Sequence, residues 1–328
     1  MKIGVIGAGA WGTALAQVAA SGGEPVKLWA LEPEVVRDVN ERHQNTLYLP
    51  NVRLNARVQA TGDISDLADC EALLVVTPAQ HLRAVLRQAN VGTKALVLCC
   101  KGIEAGTGLL MSEAAHATCP EASIAVLSGP TFAHEVGNGL PTAVTLACED
   151  NALGERIAAR MKRPSFRPYF SDDVIGAEIG GAVKNVLAIG CGVAEGAGLG
   201  LNARAALISR GFAEMTRFGL ARGARAETLA GLSGLGDLVL TCSSTDSRNF
   251  SLGKALGEGR PASELLANRR TVAEGAFTAP VLREVARAAG VDMPIVEAVC
   301  ALLEGSQPVA RVVEALLARP IRSESSGR

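Results

Sequence analysis

Short apolar runs alternate with amphipathic stretches through the first half of the chain. Lys2–Ile6 and Val26–Ala30 have the length and composition of buried strands, and the helical pattern of Gly12–Ser21 lies between them. Further strand-like runs follow, separated by amphipathic segments such as His81–Ala89 and Gly108–Ala117; they are Leu73–Val76, Ala95–Cys99, Ile124–Leu127 and Ala143–Ala147. This alternation predicts an α/β domain with a doubly wound, mainly parallel sheet and helices on both faces.

The hydrophobic pattern changes its period near Phe170. Beyond that point the strand-like runs stop and apolar residues recur at helical spacing, in Ile175–Val193, Asn202–Gly219, Arg248–Leu256, Phe277–Ala289, Pro294–Leu303 and Val309–Leu317. Ser171 is placed to cap the first of these helices. The sequence therefore predicts two domains: an α/β domain of residues 1–170 and an all-α C-terminal domain of residues 171–328.

Composition favours a globular protein and excludes several functions. Hydrophobic residues make up 48% of the 328 residues and the mean hydropathy is +0.23, so the chain can bury a core. A net charge of −1 provides no basic field for nucleic acid or an anionic membrane. No apolar run approaches the roughly 20 residues of a bilayer span, and we expect no membrane span. The 8 cysteines, without a C-x-x-C pair, favour reduced thiols in a cytoplasmic protein over disulfides or a metal site.

The first strand leads into the motif Gly7-Ala8-Gly9-Ala10-Trp11-Gly12, which opens a helix. This is the context that the dinucleotide-binding fingerprint of a Rossmann-type fold requires. Gly7 permits a tight turn, Gly9 permits close approach of a pyrophosphate, and Gly12 permits close packing of helix on strand. Trp11 either stacks near the cofactor or packs in the core.

The second strand is followed by Leu31 and Glu32. A carboxylate at this position accepts hydrogen bonds from the ribose 2′-hydroxyl of NAD and repels the 2′-phosphate of NADP. No arginine or lysine lies between Leu28 and Val36 to attract that phosphate. We therefore expect NAD to be the preferred cofactor, with NADP possible. The alternative is that Glu32 merely caps the helix that begins after it.

Two charged residues interrupt apolar segments of the second half. Lys184 lies in Gly180–Ile189, where burial would lower the lysine pKa and let it exchange a proton with an alkoxide near neutral pH. The alternative is a lysine that extends to the helix surface. Asp237, in Gly234–Thr241, is placed to hold a lysine ammonium or a substrate hydroxyl, or else to cap a helix.

Three further loops carry candidate anion ligands. In Ser247-Arg248-Asn249, Ser247 is a candidate N-cap that would leave Arg248 and the first helix amides facing outward. Lys101 and the segment Ser128–Ala133, which includes Thr131, follow strand ends, where ligands bind in such sheets. Each could be an ordinary turn, but together with the Asp237 loop they predict one ligand-binding crevice.

These motifs together resemble the NAD(P)-dependent glycerol-3-phosphate dehydrogenase family of the bacterial type. The matching blocks are G-A-G-A-W-G-T-A-L, C-K-G-I-E, S-G-P-T-F-A, G-G-A-V-K-N, G-L-G-D-L-V-L-T-C and S-R-N, and the match runs from Lys2 to about Leu317. The resemblance implies reversible hydride transfer between reduced nicotinamide and C2 of dihydroxyacetone phosphate. The product, sn-glycerol 3-phosphate, would serve phospholipid synthesis.

The resemblance also implies a role for each matching residue. Lys184 is similar to the catalytic lysine, which donates a proton during ketone reduction and accepts it in reverse, while Asp237 and Asn185 are similar to residues that orient the reacting end. Substrate contacts would come from Lys101, Gly129, Thr131, Lys184, Asp237, Ser247, Arg248 and Asn249. Coenzyme contacts would come from Gly7, Gly9, Ala10, Trp11, Gly12, Leu31, Glu32, Lys101, Ala133, Arg248, Val272 and Glu274.

Leu31 departs from the family pattern, because bacterial relatives often carry a basic residue there, and its presence agrees with a preference for NAD.

Two other functions fit parts of the sequence. A 2-ketoacid or phosphogluconate-type dehydrogenase would share the two-domain layout. A non-catalytic dinucleotide sensor would keep the glycine loop but would not need Lys184, Asp237 and Arg248 together. Apolar C-terminal helices with exposed faces also favour a homodimer.

Overall fold

The computed structural model describes residues 1–267 and 273–320. Contacts between Cα atoms divide the chain into two compact units. Unit 1 comprises Met1–Glu104 and Leu109–Glu178, and unit 2 comprises Ala105–Gly108 and the chain from Ile179 onward. The division therefore passes through a helix that begins at Val174, a little beyond the change of pattern near Phe170.

Unit 1 is built on an eight-stranded sheet with the order β3-β2-β1-β4-β5-β6-β7-β8. Its strands are β1 (Ile3–Ile6), β2 (Val26–Trp29), β3 (Val58–Thr61), β4 (Ala72–Val75), β5 (Ala95–Leu98), β6 (Ser123–Ser128), β7 (Thr142–Cys148) and β8 (Phe166–Ser171). Neighbouring strands are parallel except for the antiparallel pair β6 and β7. Every residue of β1, β4 and β5 is buried, as expected where helices cover both faces. The prediction of a mainly parallel α/β sheet is confirmed.

Helices connect these strands. They are α1 (Ala10–Ala20), α2 (Pro33–Arg37), α3 (Leu82–Gln88), α4 (Met111–Thr118), α5 (Ala133–Gly137) and α6 (Asn151–Met161), with short 3-10 or π-helical turns at Asp38–Arg42, Ile64–Leu67 and Ala79–His81. The two edge strands, β3 and β8, were not predicted. Each has a partner on one side only and mixes buried with exposed residues, so neither carries the continuous apolar run of a central strand.

Every element that the structure describes in unit 2 is helical, which confirms the predicted change of architecture. The helices are α7 (Val174–Gly196, from Ile179 onward in this unit), α8 (Gly200–Ala221), α9 (Ala226–Ala230), α10 (Asp237–Thr241), α11 (Arg248–Gly257), α12 (Ala262–Ala267), α13 (Glu274–Ala288), α14 (Pro294–Leu303) and α15 (Val309–Leu317), with a π-helical turn at Leu232–Gly236. The short helices α9, α10 and α12 had no clear periodic signal.

Helix α7 is the apolar centre of unit 2. A Cβ on its Gly192 would lie 2.0 Å from the carbonyl oxygen of Phe250, and one on Gly253 of α11 would lie 2.0 Å from that of Ile189, so the two backbones touch and only glycine fits. Helix α7 is also long and apolar enough to cross a membrane, which the sequence analysis overlooked. Because 89% of its most apolar 18-residue stretch is buried inside the protein, α7 has the character of a core helix.

The N-terminus of α7 corrects one prediction. Ser171 is the last residue of β8 and does not cap the helix. Its Oγ accepts a hydrogen bond from the amide of Asp173 at 3.1 Å, and Asp173 Oδ1 accepts the amide of Gly176 at 2.9 Å. The strand runs further than the sequence indicated, so the capping role moves to Asp173.

Candidate active site

The glycine loop after β1 has the geometry that a bound pyrophosphate requires. Gly7 adopts φ +108°, and a Cβ on Gly12 would lie 1.8 Å from the Gly7 carbonyl oxygen, so both positions need glycine. A Cβ on Gly9, in contrast, would meet no described heavy atom within 4 Å. Gly9 is the N-cap of α1 and supplies no side-chain cap, and the first helix amides, starting at Ala10, have no intrahelical partners. Open space beside these donors fits an anion at a helix N-terminus.

Polar atoms without partners lie near the same edge of the sheet. Trp11 Nε1, Thr77 Oγ1 and Ser128 Oγ are buried and have no hydrogen-bond partner among the described residues. Trp11 follows β1, Thr77 follows β4, and Ser128 is the last residue of β6. The carboxyl ends of these strands share one edge of the sheet because β1, β4, β5 and β6 are parallel neighbours. The Trp11 ring packs against the hydrophobic core, as one of its two alternatives expected, while its N–H group is suited to bind a ligand. These groups fit a dinucleotide. Ser128 lies in the segment Ser128–Ala133 that the sequence pointed to, whereas Thr77 was not among the candidates.

Glu32 does not act as a helix cap through its side chain. It is the N-cap residue of α2, but within the described chain its carboxylate accepts no hydrogen bond from the helix amides. Instead Tyr48 Oη donates to Glu32 Oε1 at 2.7 Å. This hydrogen bond is the main reason that the pKa of Tyr48 is raised to about 12, with burial adding to the effect. The side chain of Leu31, immediately before it, is 75% exposed.

The strand ends of β5 and β6 bring Lys101 and the S-G-P-T-F-A loop together. Lys101 Nζ donates to the carbonyl oxygen of Gly129 at 3.5 Å, and Thr131 Oγ1 donates to the same oxygen at 3.2 Å. Gly129 adopts φ +154°, and a Cβ there would lie 3.0 Å from Val144 Cα. Ala133 is the first residue of α5. Unit 1 thus places an ammonium beside the loop predicted to bind substrate.

Unit 2 pairs Lys184 with Asp237. Lys184 Nζ donates to Asp237 Oδ1 at 2.5 Å and to Thr241 Oγ1 at 2.9 Å, and Thr241 Oγ1 lies 3.3 Å from Asp237 Oδ1. Lys184 and Asp237 are 6% and 0% exposed, so the lysine does not extend to the surface. Asp237 begins α10, yet its carboxylate compensates the ammonium charge. Of the alternatives that the sequence left open for Asp237, the structure shows the contact with a lysine ammonium. Thr241 is an additional partner that the sequence did not point to.

A neutral thiol lies near this pair. A hydrogen bond with Cys191, together with burial, raises the pKa of the Cys242 thiol well above its ordinary value. Because the thiol stays protonated near neutral pH, it adds no negative charge beside Lys184. In this pair the negative charge is carried by Asp237.

The Ser247-Arg248-Asn249 segment begins α11 as predicted. Ser247 is the N-cap, with its Oγ accepting the amide of Phe250 at 3.2 Å, and Arg248 is exposed at the first position of the helix. Asn249 has a further task, because its Oδ1 accepts the amide of Gly275 at 2.8 Å. This bond ties α11 to the first turn of α13, which Glu274 begins. An exposed guanidinium at a capped helix N-terminus suits a phosphate group.

Two remaining candidates are placed differently. Asn185 is 6% exposed on α7, and its carbonyl oxygen would lie 2.5 Å from a Cβ on Gly275, so its backbone packs against α13. Val272 lies outside the described residues. No local motif revealed Tyr48, whose relevance depends on its hydrogen bond with Glu32, or Thr77, whose relevance depends on the place of β4 beside β1 in the sheet.

Comparison with known proteins identifies the relatives of this chain. Residues 2–154 match the family model for the NAD-dependent glycerol-3-phosphate dehydrogenase N-terminus, and residues 173–314 match the model for its C-terminus. The chain is 65% identical over 323 residues to a glycerol-3-phosphate dehydrogenase [NAD(P)+] of Erythrobacter litoralis, with 98% of both chains covered. It is 64% identical over 328 residues to that of Novosphingobium aromaticivorans, covering 99% of this chain and 98% of the relative.

Among solved structures, the chain is similar to glycerol-3-phosphate dehydrogenase from Coxiella burnetii. The TM-score is 0.92 at 37% sequence identity, and the superposition covers 97% of this chain and 99% of the other. Sequence and structure comparisons therefore agree over nearly the whole length of the chain.

Proposed function

Because the chain belongs to the NAD-dependent glycerol-3-phosphate dehydrogenase family, we propose that it interconverts dihydroxyacetone phosphate and sn-glycerol 3-phosphate with a nicotinamide coenzyme. The single observation that carries this mechanism is the buried Lys184–Asp237 pair, whose Nζ–Oδ1 distance is 2.5 Å. A charged lysine kept in a buried setting is suited to stabilise and protonate an alkoxide. The product would supply glycerophospholipid synthesis.

The coenzyme, when bound, supplies the hydride that reduces C2 of the ketone. The groups that would hold it are the glycine loop with its open space at Gly9, the α1 amides and Trp11 Nε1, which has no hydrogen-bond partner in the described part of the chain. Glu32 would accept a hydrogen bond from the ribose 2′-hydroxyl and Leu31 would offer no charge to a 2′-phosphate, so we expect NAD to be preferred, with NADP also used. Further coenzyme contacts are assigned, on the family pattern, to Lys101, Ala133, Arg248, Val272 and Glu274.

Proton transfer is assigned to Lys184. During reduction, its Nζ gives a proton to the C2 oxygen as that atom becomes an alkoxide, and in the reverse direction it takes the hydroxyl proton. Asp237 and Thr241 hold Nζ in place, since both accept its hydrogen bonds. Asn185 is assigned to orienting the reacting end. Fixing the ammonium before reaction lowers the reorganisation that the transition state requires.

Phosphate recognition is assigned chiefly to Arg248. Its guanidinium stands exposed at the N-terminus of α11, where helix amides and the positive end of the helix dipole also favour an anion. Ser247 and Asn249 shape this terminus, and Lys101, Gly129 and Thr131 are assigned to the same substrate. Binding a remote phosphate orients the carbonyl for reaction.

The test uses the purified protein with NADH or NADPH and either dihydroxyacetone phosphate or a small 2-ketoacid. We expect coenzyme oxidation with the phosphorylated ketone, faster with NADH, and little with the ketoacid. Oxidation with the ketoacid alone would replace this proposal with a 2-ketoacid dehydrogenase. Absence of hydride transfer with every substrate would instead support a dinucleotide sensor.

We further propose a cytoplasmic homodimer. All 8 cysteines are free within the described residues and most are buried, which suits a reducing compartment. Val312 of helix α15 is buried, but Leu317 at its end is 82% exposed, and this apolar side chain suits contact with a second copy. Sedimentation velocity should give twice the 33.8 kDa chain mass; a monomer at micromolar concentration would contradict the dimer.

A further inference from the structure

The hydroxyl of Tyr48 and the carboxylate of Glu32 are joined across 16 residues of sequence by a hydrogen bond of 2.7 Å. We propose that Tyr48 is a positioning residue for coenzyme discrimination, which holds the Glu32 carboxylate in the orientation that receives the ribose 2′-hydroxyl of NAD. This inference rests on the role assigned to Glu32 in the proposed function. It adds a residue that lies in no glycine motif and follows no predicted strand.

Tyr48 is itself anchored to the glycine loop through Asn45. The Asn45 side chain is 1% exposed, and its Nδ2 donates to the carbonyl oxygen of Ala8 at 2.8 Å and to Thr13 Oγ1 at 2.8 Å. Its Oδ1 accepts the amide of Tyr48 at 3.2 Å. The turn that presents the phenol is thereby fixed to the backbone of the pyrophosphate-binding motif.

The turn is closed on its other side by a backbone bond. The amide of Leu49 donates to the carbonyl oxygen of Asn45 at 2.8 Å, and Leu49 is 2% exposed within the core of unit 1. Tyr48 as a whole is 36% exposed, whereas Asn45 and Leu49, which fix the turn, are buried. A side chain fixed in this manner can restrain a partner at little further entropic cost.

The hydrogen bond from Tyr48 matters because α2 does not itself restrain the Glu32 carboxylate. The carboxylate accepts no hydrogen bond from the α2 amides within the described chain, so without Tyr48 a glutamate with several rotatable bonds would sample many positions. Pre-orientation of one carboxylate oxygen leaves the other directed to accept the ribose hydroxyl. It also fixes the negative charge where a 2′-phosphate would have to approach, which disfavours NADPH.

The phenol remains a donor over the working pH range. The hydrogen bond to Glu32 raises the pKa of Tyr48 to about 12, helped by burial and by the charges of Glu32 and Glu34. At neutral pH the hydroxyl is therefore protonated and the bond to the carboxylate is intact. This shift gives the interaction a signature that does not depend on enzyme activity.

The kinetic test compares Tyr48→Phe with Tyr169→Phe as a matched control. Tyr169 lies on β8 and is the only other tyrosine of the sequence. We expect Tyr48→Phe to lower the ratio of kcat/KM for NADH over NADPH by about tenfold, which corresponds to about 1.4 kcal/mol. The loss should appear mainly in the KM for NADH, with kcat changed little, and the Tyr169→Phe ratio should equal that of the wild type. An unchanged or increased ratio in Tyr48→Phe would overturn the inference.

The second test follows phenol ionisation by ultraviolet absorbance in the Tyr169→Phe protein, where Tyr48 is the single tyrosine. At pH 11, a pKa of about 12 leaves roughly one tenth of Tyr48 ionised, whereas an ordinary pKa near 10 leaves roughly nine tenths ionised. Adding Glu32→Gln should move the titration toward the ordinary value. Circular dichroism at the same pH checks that the fold persists. Ordinary ionisation of Tyr48 in a folded Tyr169→Phe protein would overturn the inference.

Glu32→Ala separates the two possible failures. If this variant leaves the NADH to NADPH ratio unchanged, Glu32 does not discriminate and the inference falls with that part of the proposed function. If Glu32→Ala collapses the ratio while Tyr48→Phe leaves it intact, the role of Glu32 stands and only the inference about Tyr48 is overturned. Collapse of the ratio in both variants supports both assignments.

Discussion

Lys184 and Asp237 form a buried ion pair, and a double-mutant cycle should show strong coupling between them. The perturbations are Lys184→Met, Asp237→Leu and the two combined. Each single change leaves one charge buried without its counter-charge, because the side chains are 8% and 0% exposed. The double change removes both charges and leaves apolar side chains of similar volume.

The structure sets the scale of the effect. Breaking a buried pair by removing one partner costs about 3–5 kcal/mol, whereas replacing both partners with apolar residues is often close to neutral. Thr241 Oγ1 lies 2.9 Å from Lys184 Nζ and 3.3 Å from Asp237 Oδ1. It therefore remains as a partner of the residual charge in either single variant, and the lower end of the range applies to both. With about 3 kcal/mol for each single change and about 1–2 kcal/mol for the double, the coupling is about 4–5 kcal/mol.

Urea unfolding followed by far-ultraviolet circular dichroism measures these differences. We expect the double variant to be more stable than either single variant, which is a result that independent sites cannot give. Stabilities that add to within about 0.5 kcal/mol would refute a buried, mutually compensating pair. Leu240→Met, a conservative change in the same helix, serves as the control for general perturbation of α10.

Three other predictions concern separate parts of the molecule. Gly12→Ala places a Cβ 1.8 Å from the Gly7 carbonyl oxygen, so NADH binding measured by fluorescence titration should weaken by more than about tenfold; unchanged binding would contradict the loop geometry. Arg248→Ala should raise the KM for dihydroxyacetone phosphate by about tenfold or more with a smaller change in kcat, and an unaltered KM would remove its phosphate role. Burial raises the pKa of Glu214 to about 7, although the amides of Ile295 and Val296 oppose this by donating to its carboxylate. The folded state then binds this proton more tightly than the unfolded state, so protonated Glu214 contributes fully to the stability of the fold below about pH 4.5, and the contribution is lost as pH rises through 7. Thermal melts should therefore show the wild type losing stability relative to Glu214→Gln from about pH 5 to pH 8. Parallel stability curves for the two proteins would contradict this assignment.

Features specified by local sequence were the predictable ones. Strands β1, β4 and β5 are continuous apolar runs because helices cover both their faces. The glycine loop is recognisable from its spacing together with its place between a strand and a helix. Lys184 was detectable because a lysine in a helix of small apolar residues is unusual. Thr241 could also have been found, since it follows Asp237 by four residues and shares its helix face.

Features specified by distant contacts were not predictable. β3 and β8 became strands because a neighbouring strand pairs with them, and their own residues alternate without a strong apolar signal. The bond between Tyr48 and Glu32 depends on a turn anchored by Asn45 to the glycine loop, which only the folded chain brings together. The role of Asn249 was unpredictable for the same reason. Its position at the start of α11 was predicted, but its hydrogen bond with the Gly275 amide, which joins α11 to α13, depends on the folded chain.

Turnover of Lys184→Met with dihydroxyacetone phosphate and NADH tests the central claim most directly. Removing the proton donor should lower kcat by about 10²–10⁴-fold, while NADH binding and circular dichroism stay close to those of the wild type. The KM for the phosphorylated ketone should change much less, because Arg248 and the α11 amides still bind its phosphate. Near wild-type kcat in a folded Lys184→Met protein would contradict proton transfer by this lysine.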